Sequence, residues 1–128
     1  IYRLTNPMDV TALLMVAVAK SDGDMSSEEK KKILEMFQNE FHLSRRDAAD
    51  LMVASVYLLK DGSELRTNLS KVIAPSLTKF THEQIDSAVS LICTVGKIDP
   101  DPNDIRETLV KGICSIFTSV THENGKWQ

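Results

Sequence analysis

Apolar residues recur at intervals of three and four positions along most of this chain, and alternation of apolar with polar residues is nearly absent. The first pattern is typical of amphipathic α-helices, whereas a half-buried strand alternates. The sequence therefore predicts an all-α fold. Because the chain has 128 residues and 42% of them are hydrophobic, it can bury the core of one domain but not of two. We expect a compact single-domain bundle of about six to seven helices over residues 1–120, followed by a polar C-terminal tail at 121–128.

Proline and capping residues indicate where the first helices begin. Pro7 stands in the first turn of a helix near 7–20, where its missing N–H group is not needed. The second half of that helix is apolar on every face, so we expect it at the centre of the bundle. Ser26 and Glu29 have the spacing of a capping box at the start of the second helix. The core stripe of that helix is Ile33, Phe37 and Phe41.

The later helices are delimited by similar signals. Ser44 begins the third helix, and Thr81 with Gln84 makes a second capping box at the start of the fifth. A fourth helix near 64–74 should break or kink at Pro75, because proline removes a donor and clashes with the preceding turn. The last helix is predicted to open at Asp101-Pro102 and to bury Ile105, Leu109, Ile113, Ile116, Phe117 and Val120.

Charge and hydropathy exclude several classes of function. The chain carries 15 basic and 18 acidic residues, a net charge of -3, so it lacks the broad positive surface that nucleic acid or an anionic membrane requires. Its longest apolar run, Ala12 to Ala19, is far shorter than the roughly 20 residues of a bilayer span. We therefore expect no nucleic-acid partner and no direct insertion into a membrane.

Cysteine and histidine usage argues against catalysis. Cys93 and Cys114 lie in apolar helical patterns without CxxC spacing, which favours buried reduced thiols and a cytoplasmic protein over a disulfide or a metal knuckle. The three histidines are scattered singly, with no serine, cysteine or carboxylate partner at a fixed spacing. We therefore expect a protein that is not an enzyme.

Acidic residues crowd the turn between the first two helices. Asp22, Asp24, Glu28 and Glu29 offer carboxylate oxygens close to the Ser26 hydroxyl, and such hard ligands suit Ca²⁺ or Mg²⁺. Alternatively, the two glutamates complement the dipole of the second helix and the aspartates only form the turn. Both interpretations stay open at this point.

A weak internal repeat extends this hypothesis to a second turn. When the segment from Leu14 is laid over the segment from Leu91 without a gap, both read as helix, acidic turn and helix. Asp99 and Asp101 then become candidate ligands as well, but Ile105 and Arg106 stand where acids would be wanted. The alternative is that Asp101 only caps the last helix. The candidate metal ligands are thus Asp22, Asp24, Glu29, Asp99 and Asp101.

The stretch 17–33 resembles the TerB-like family, named for the tellurite-resistance protein TerB. The residues that carry the resemblance are Ala17, Ala19, Asp22-Gly23, Met25, Glu29 and Ile33, followed by Phe41-His42-Leu43-Ser44. The resemblance implies a compact all-helical domain that is associated with stress-response or membrane-linked complexes. It also implies a divalent-metal site at the acidic turns.

Two functions are consistent with these observations. One is a binding module in which a divalent cation, held mainly by Asp22, Asp24 and Glu29, fixes the angle between the first two helices and so biases a partner surface. The other is a metal-free protein-interaction scaffold, whose partner surface would be an exposed apolar patch. Either function needs a protein partner, and either would involve a membrane only through that partner.

Overall fold

The computed structural model describes residues 6–21, 25–59, 69–98 and 105–126. These residues form six helices, and no strand occurs within the described ranges. The helices are α1 (Pro7–Ala19), α2 (Ser27–Phe41), α3 (Arg45–Leu58), α4 (Leu69–Leu77), α5 (His82–Ile98) and α6 (Ile105–Lys126). The all-α prediction is confirmed.

Helix α1 is the centre of the bundle, as its sequence predicts. Asn6 caps it by accepting a hydrogen bond from the Met8 backbone N–H at 2.9 Å, and Pro7 occupies the first position. Every residue from Val10 to Ala19 is buried. The helix packs against all five other helices, so each of its faces meets apolar neighbours.

Capping residues define both ends of α2 and the start of α3, and the connection between these two helices is short. Ser26 Oγ accepts from the Glu29 N–H at 3.1 Å, and a Glu29 oxygen accepts from the Ser26 N–H at 2.9 Å, which completes the predicted capping box. His42 ends α2 in the left-handed conformation with φ 55°. Ser44 then caps α3 by accepting from the Asp47 N–H at 3.1 Å.

Helix α4 continues through Pro75 to Leu77, so of the predicted break or kink it is the break that is wrong. Pro75 lies in the last turn, where it removes one backbone hydrogen bond and leaves little helix after it to disrupt. Ile73 and Ser76 are both fully buried, and the Ser76 hydroxyl donates to the Ile73 carbonyl at 2.8 Å. Core packing on both sides of the proline therefore preserves the turn. The predicted start near residue 64 lies outside the described residues.

Helices α5 and α6 complete the core. The capping box at the start of α5 is confirmed, since Thr81 and Gln84 exchange hydrogen bonds of 2.8 and 3.1 Å. Phe80, just before this box, packs edge-on against Phe117 of α6 with ring centroids 5.1 Å apart. Helix α6 extends to Lys126 and thus includes most of the polar segment at 121–128.

The first turn of α6 does not bury the residue that the sequence predicts. Ile105 is 41% exposed, whereas Arg106 is 1% exposed. Position 106 shares a helical face with the buried Ile113 and Phe117, so it faces the core although its side chain is charged. The prediction that Ile105 is a core residue is therefore wrong. The predicted opening at Asp101-Pro102 and the side chain of Val120 lie outside the described part of the chain.

Candidate functional site

Glu29 lies in the first turn of α2 and uses both of its carboxylate oxygens. Its Oε1 accepts the capping hydrogen bond from the Ser26 N–H. Its Oε2 lies 2.9 Å from Nη2 of Arg106, and both side chains are almost inaccessible to solvent, at 2% and 1% exposure. We call this contact the Glu29–Arg106 ion pair.

Arg106 also reaches the end of α1. Its Nη2 donates to the Ala19 carbonyl at 2.8 Å. Ala19 is the last residue of α1, where carbonyl groups lack partners within the helix and the helix dipole favours a cation. One guanidinium thus connects the C-terminus of α1, the N-terminus of α2 and the N-terminus of α6.

This geometry bears on the predicted metal ligands. Glu29 is already engaged by a backbone N–H and by a guanidinium, so a divalent cation would have to replace Arg106 in order to bind it. Within the described ranges, no three histidine, cysteine, aspartate or glutamate side chains lie close enough together to hold a metal ion. Glu29 is therefore the only one of the five candidate ligands that the structure places, and its surroundings suit a structural ion pair. The other four, Asp22, Asp24, Asp99 and Asp101, lie outside the described residues.

Comparison with known proteins gives one finding. The family model described as tellurite resistance protein TerB matches residues 8–124. The chain belongs to the TerB family. The match includes all six helices almost completely, and so extends well beyond the stretches 17–33 and 41–44 that carry the resemblance. No curated protein and no solved structure matches the chain significantly.

Arg106 is the residue that sequence analysis of this TerB-family chain missed as a partner of Glu29. A signal was available, since the gapless repeat places Arg106 on Glu29. Arg106 occupies a helix position that shares a face with apolar core residues, and the repeat aligns it with the acidic Glu29. This combination is consistent with a buried ion pair. Charged side chains are rarely buried unless they are paired, which is why the sequence alone favours an exposed position for Arg106.

Outside the ion pair, the most distinctive surface is on α3. Val53 and Tyr57 lie one turn apart and are 68% and 71% exposed, although both are large apolar or aromatic residues. Ala49 and Ala54 are also exposed on this side of the helix. We call these four residues the α3 outer face. The opposite face of α3 buries Ala48, Met52 and Ser55 against α1 and α2.

A cleft of about 330 Å³ lies between the starts of α1 and α5 and the end of α2. Its titratable lining residues are Glu40 and Glu83, which are both exposed. Hydroxyl groups are present at Thr11, Thr81 and Ser87, but no histidine, cysteine or lysine lines the described walls. The cleft therefore brings no nucleophile and base together.

The two cysteines are neighbours in the fold. Cys93 of α5 and Cys114 of α6 are free and half-buried, and their Sγ atoms lie 3.7 Å apart. Burial raises the pKa of the Cys114 thiol to about 11, with further contributions from the hydrogen bond and the charge interaction with Cys93. The prediction that both thiols are buried is therefore met only in part, because the two side chains are half-buried and contact each other.

In the described ranges, no helix has both the length and the apolar character that a bilayer span requires.

Proposed function

We propose that this TerB-family chain is a non-enzymatic interaction module that binds a protein partner through the α3 outer face. The observation that carries the proposal is the exposure of Val53 and Tyr57, at 68% and 71%, on a helix whose other face is buried. Contiguous exposed apolar side chains commonly mark sites of protein association. In this interpretation the Glu29–Arg106 ion pair stabilises the bundle and does not hold a metal ion.

The composition of the α3 outer face supports this function. Tyrosine buries a large apolar ring while keeping a polar hydroxyl, and it is enriched among the residues that dominate binding energy. The exposed charges of Arg46 and Asp50 border the apolar residues on the same helix. An apolar centre with a charged rim is the usual anatomy of a protein interface. The family resemblance is consistent with a partner that belongs to a stress-response complex.

The proposal is tested by photo-crosslinking in the cells that naturally produce the protein. A photoreactive amino acid at Val53 should give a discrete crosslinked protein, and Tyr57→Asp in the same chain should abolish it. The same amino acid at Lys71, an exposed position on α4, is the matched control and should give no such product. Because these positions are exposed, thermal unfolding should stay within about 2 °C of the wild type. Equal products from both positions, or a product that survives Tyr57→Asp, would contradict the proposal.

A divalent-cation site at the acidic turns is the second candidate function. It is favoured by the contacts of Arg106 with Ala19 and Glu29, which hold the start of α6 beside the two helix ends that flank the first acidic turn. In the sequence, Asp22, Asp24, Asp99 and Asp101 stand within a few residues of those ends. Their carboxylates would suit Ca²⁺ or Mg²⁺ better than softer metals.

Thermal unfolding with a chelator, and then with about 1 mM Ca²⁺ or Mg²⁺, distinguishes the two candidates. If the chain binds the ion with a Kd of about 10 µM, the ion adds about 2.7 kcal/mol of stability. For a chain of this length that corresponds to a rise of about 10 °C in Tm. Asp22→Asn should abolish the rise, while Asp50→Asn on α3 should retain it. If neither ion raises Tm, the metal hypothesis is rejected and the metal-free module remains.

A further inference from the structure

Helices α5 and α6 approach each other closely where the two cysteines lie. Gly96, one turn after Cys93, leaves so little room that an added Cβ would lie 3.0 Å from Cγ2 of Val110. Val110 is in turn one helical turn before Cys114. The glycine therefore allows the two backbones to come together beside the thiols. Such proximity matters because the Cα atoms of a disulfide are separated by no more than about 7 Å.

The thiols themselves are close to bonding distance. A disulfide has a sulfur–sulfur distance of about 2.0 Å, so the two Sγ atoms, now 3.7 Å apart, would have to approach by about 1.7 Å. Rotations about the two Cα–Cβ bonds and a small shift of the helices can supply this movement. Both residues are half-buried, which leaves them accessible to a small reagent.

We propose that Cys93 and Cys114 are a redox-modification site at which a small disulfide, of the type of glutathione disulfide, converts the two thiols into an intramolecular disulfide. This inference is independent of the proposed partner surface and of any metal ion. It gives the α5–α6 pair a covalent state that the sequence does not suggest, since the cysteines lack CxxC spacing.

The chemistry proceeds by two thiol–disulfide exchanges. One cysteine loses its proton to solvent, and its thiolate attacks glutathione disulfide, which breaks that disulfide and releases one glutathione thiolate. The second cysteine then loses its proton and attacks the protein sulfur of the mixed disulfide, which releases the second glutathione. In total two protein thiols are oxidised, and one glutathione disulfide is reduced to two glutathione molecules. Because the second thiol is already adjacent, its attack on the mixed disulfide is favoured over attack by a free glutathione thiolate, which would only regenerate the protein thiol.

Closure would constrain α6 relative to α5. The disulfide would close the chain between residues 93 and 114, a segment that contains Arg106. A crosslink over such a segment lowers the entropy of the unfolded chain and stabilises the fold. Oxidation should therefore raise Tm by several degrees, and reduction should reverse the rise.

Intact-mass measurement of the purified full chain with excess glutathione disulfide tests the proposal. The wild type should lose about 2 Da, lose both free thiols and stay monomeric. Cys93→Ser and Cys114→Ser should instead gain about 305 Da from one glutathione, or form dimers through the remaining thiol. Their Tm should not rise as that of the oxidised wild type does.

Three results would overturn the proposal. They are a wild type that accumulates glutathione adducts, a wild type that forms intermolecular dimers, and a wild type that stays fully reduced under excess glutathione disulfide. Because the mass readout uses the wild type alone, it remains decisive even where a serine variant is destabilised.

Discussion

Replacing Arg106 by methionine should destabilise the protein more than any change to a surface charge. Methionine keeps much of the volume and the apolar stem of arginine but removes the guanidinium. The Glu29 carboxylate then stays buried at 2% exposure without its counter-charge, and the Ala19 carbonyl loses its donor. Removal of one partner of a buried ion pair costs about 3 to 5 kcal/mol, because an uncompensated charge remains.

That loss is large compared with the whole stability of a domain, which is about 5 to 15 kcal/mol. For a chain of this length, 1 kcal/mol corresponds to about 4 °C, so Arg106→Met should lower Tm by about 10 to 20 °C. Urea unfolding monitored by circular dichroism gives the free energy directly. Since both side chains are buried, salt should screen the effect little.

Lys111→Met is the matched control. Lys111 forms an ion pair with Glu107 on the same helix at 3.1 Å, but these side chains are 76% and 60% exposed. Such a pair contributes at most about 0.5 kcal/mol, so the control should lower Tm by no more than about 2 °C.

A double-mutant cycle isolates the interaction itself. Glu29→Gln keeps an acceptor for the Ser26 N–H and removes the charge, so it should cost about as much as Arg106→Met. The double variant should lose about 1 to 3 kcal/mol less than the two single losses combined, because neither charge is then left alone. Full additivity, or a loss for Arg106→Met no larger than that of the Lys111 control, would refute the reasoning.

Three further predictions concern local features of the fold. His42→Gly should stabilise the protein by about 0.5 to 1 kcal/mol in urea unfolding, because a residue with φ 55° at a helix end favours glycine. Ser44→Ala should cost about 1 kcal/mol in the same assay, because the Asp47 N–H loses its acceptor at 3.1 Å. Stability should fall as pH rises from 9 to 11, because burial raises the pKa of Cys114 from 9.0 to about 11 and the folded protein retains a proton that the unfolded chain loses. The fall should be smaller in Cys114→Ser, measured by thermal unfolding across that pH range.

The features that could be predicted from the sequence are those set by short-range physics. The capping boxes at Ser26 and Thr81 are confirmed because each depends on two residues three positions apart, whatever surrounds them. The buried character of α1 is likewise evident from a run that is apolar on every face. Local rules failed at Pro75, where burial of Ile73 and Ser76 outweighs the preference of proline to end a helix.

The features that could not be predicted depend on contacts between distant segments. Hydropathy favours Ile105 over Arg106 as the core residue, because a buried arginine is stable only if a partner is present. That partner, Glu29, belongs to α2, whereas Arg106 belongs to α6. The distance between the two side chains is fixed only by the packing of α1, α2 and α6. The contact between Cys93 and Cys114 also requires the packing of α5 on α6, which no spacing in the sequence specifies.

The ion pair gives a physical reason for the way in which the second copy of the repeat departs from the first. In the gapless alignment α1 corresponds to α5, and α2 corresponds to α6. The helix contacts follow this relation. Helix α1 packs on its counterpart α5, and the contact between α1 and α6 is equivalent to the contact between α5 and α2. Two copies that face each other in this way bring equivalent positions together, as they do Glu29 and Arg106. A faithful copy would place a second glutamate at position 106 and oppose two buried carboxylates, which repel each other strongly at low dielectric. Arginine at that position neutralises the Glu29 carboxylate and donates a hydrogen bond to the Ala19 carbonyl at the end of α1. The departure that weakens a second metal site is therefore what allows the α1–α2 pair to pack against the α5–α6 pair.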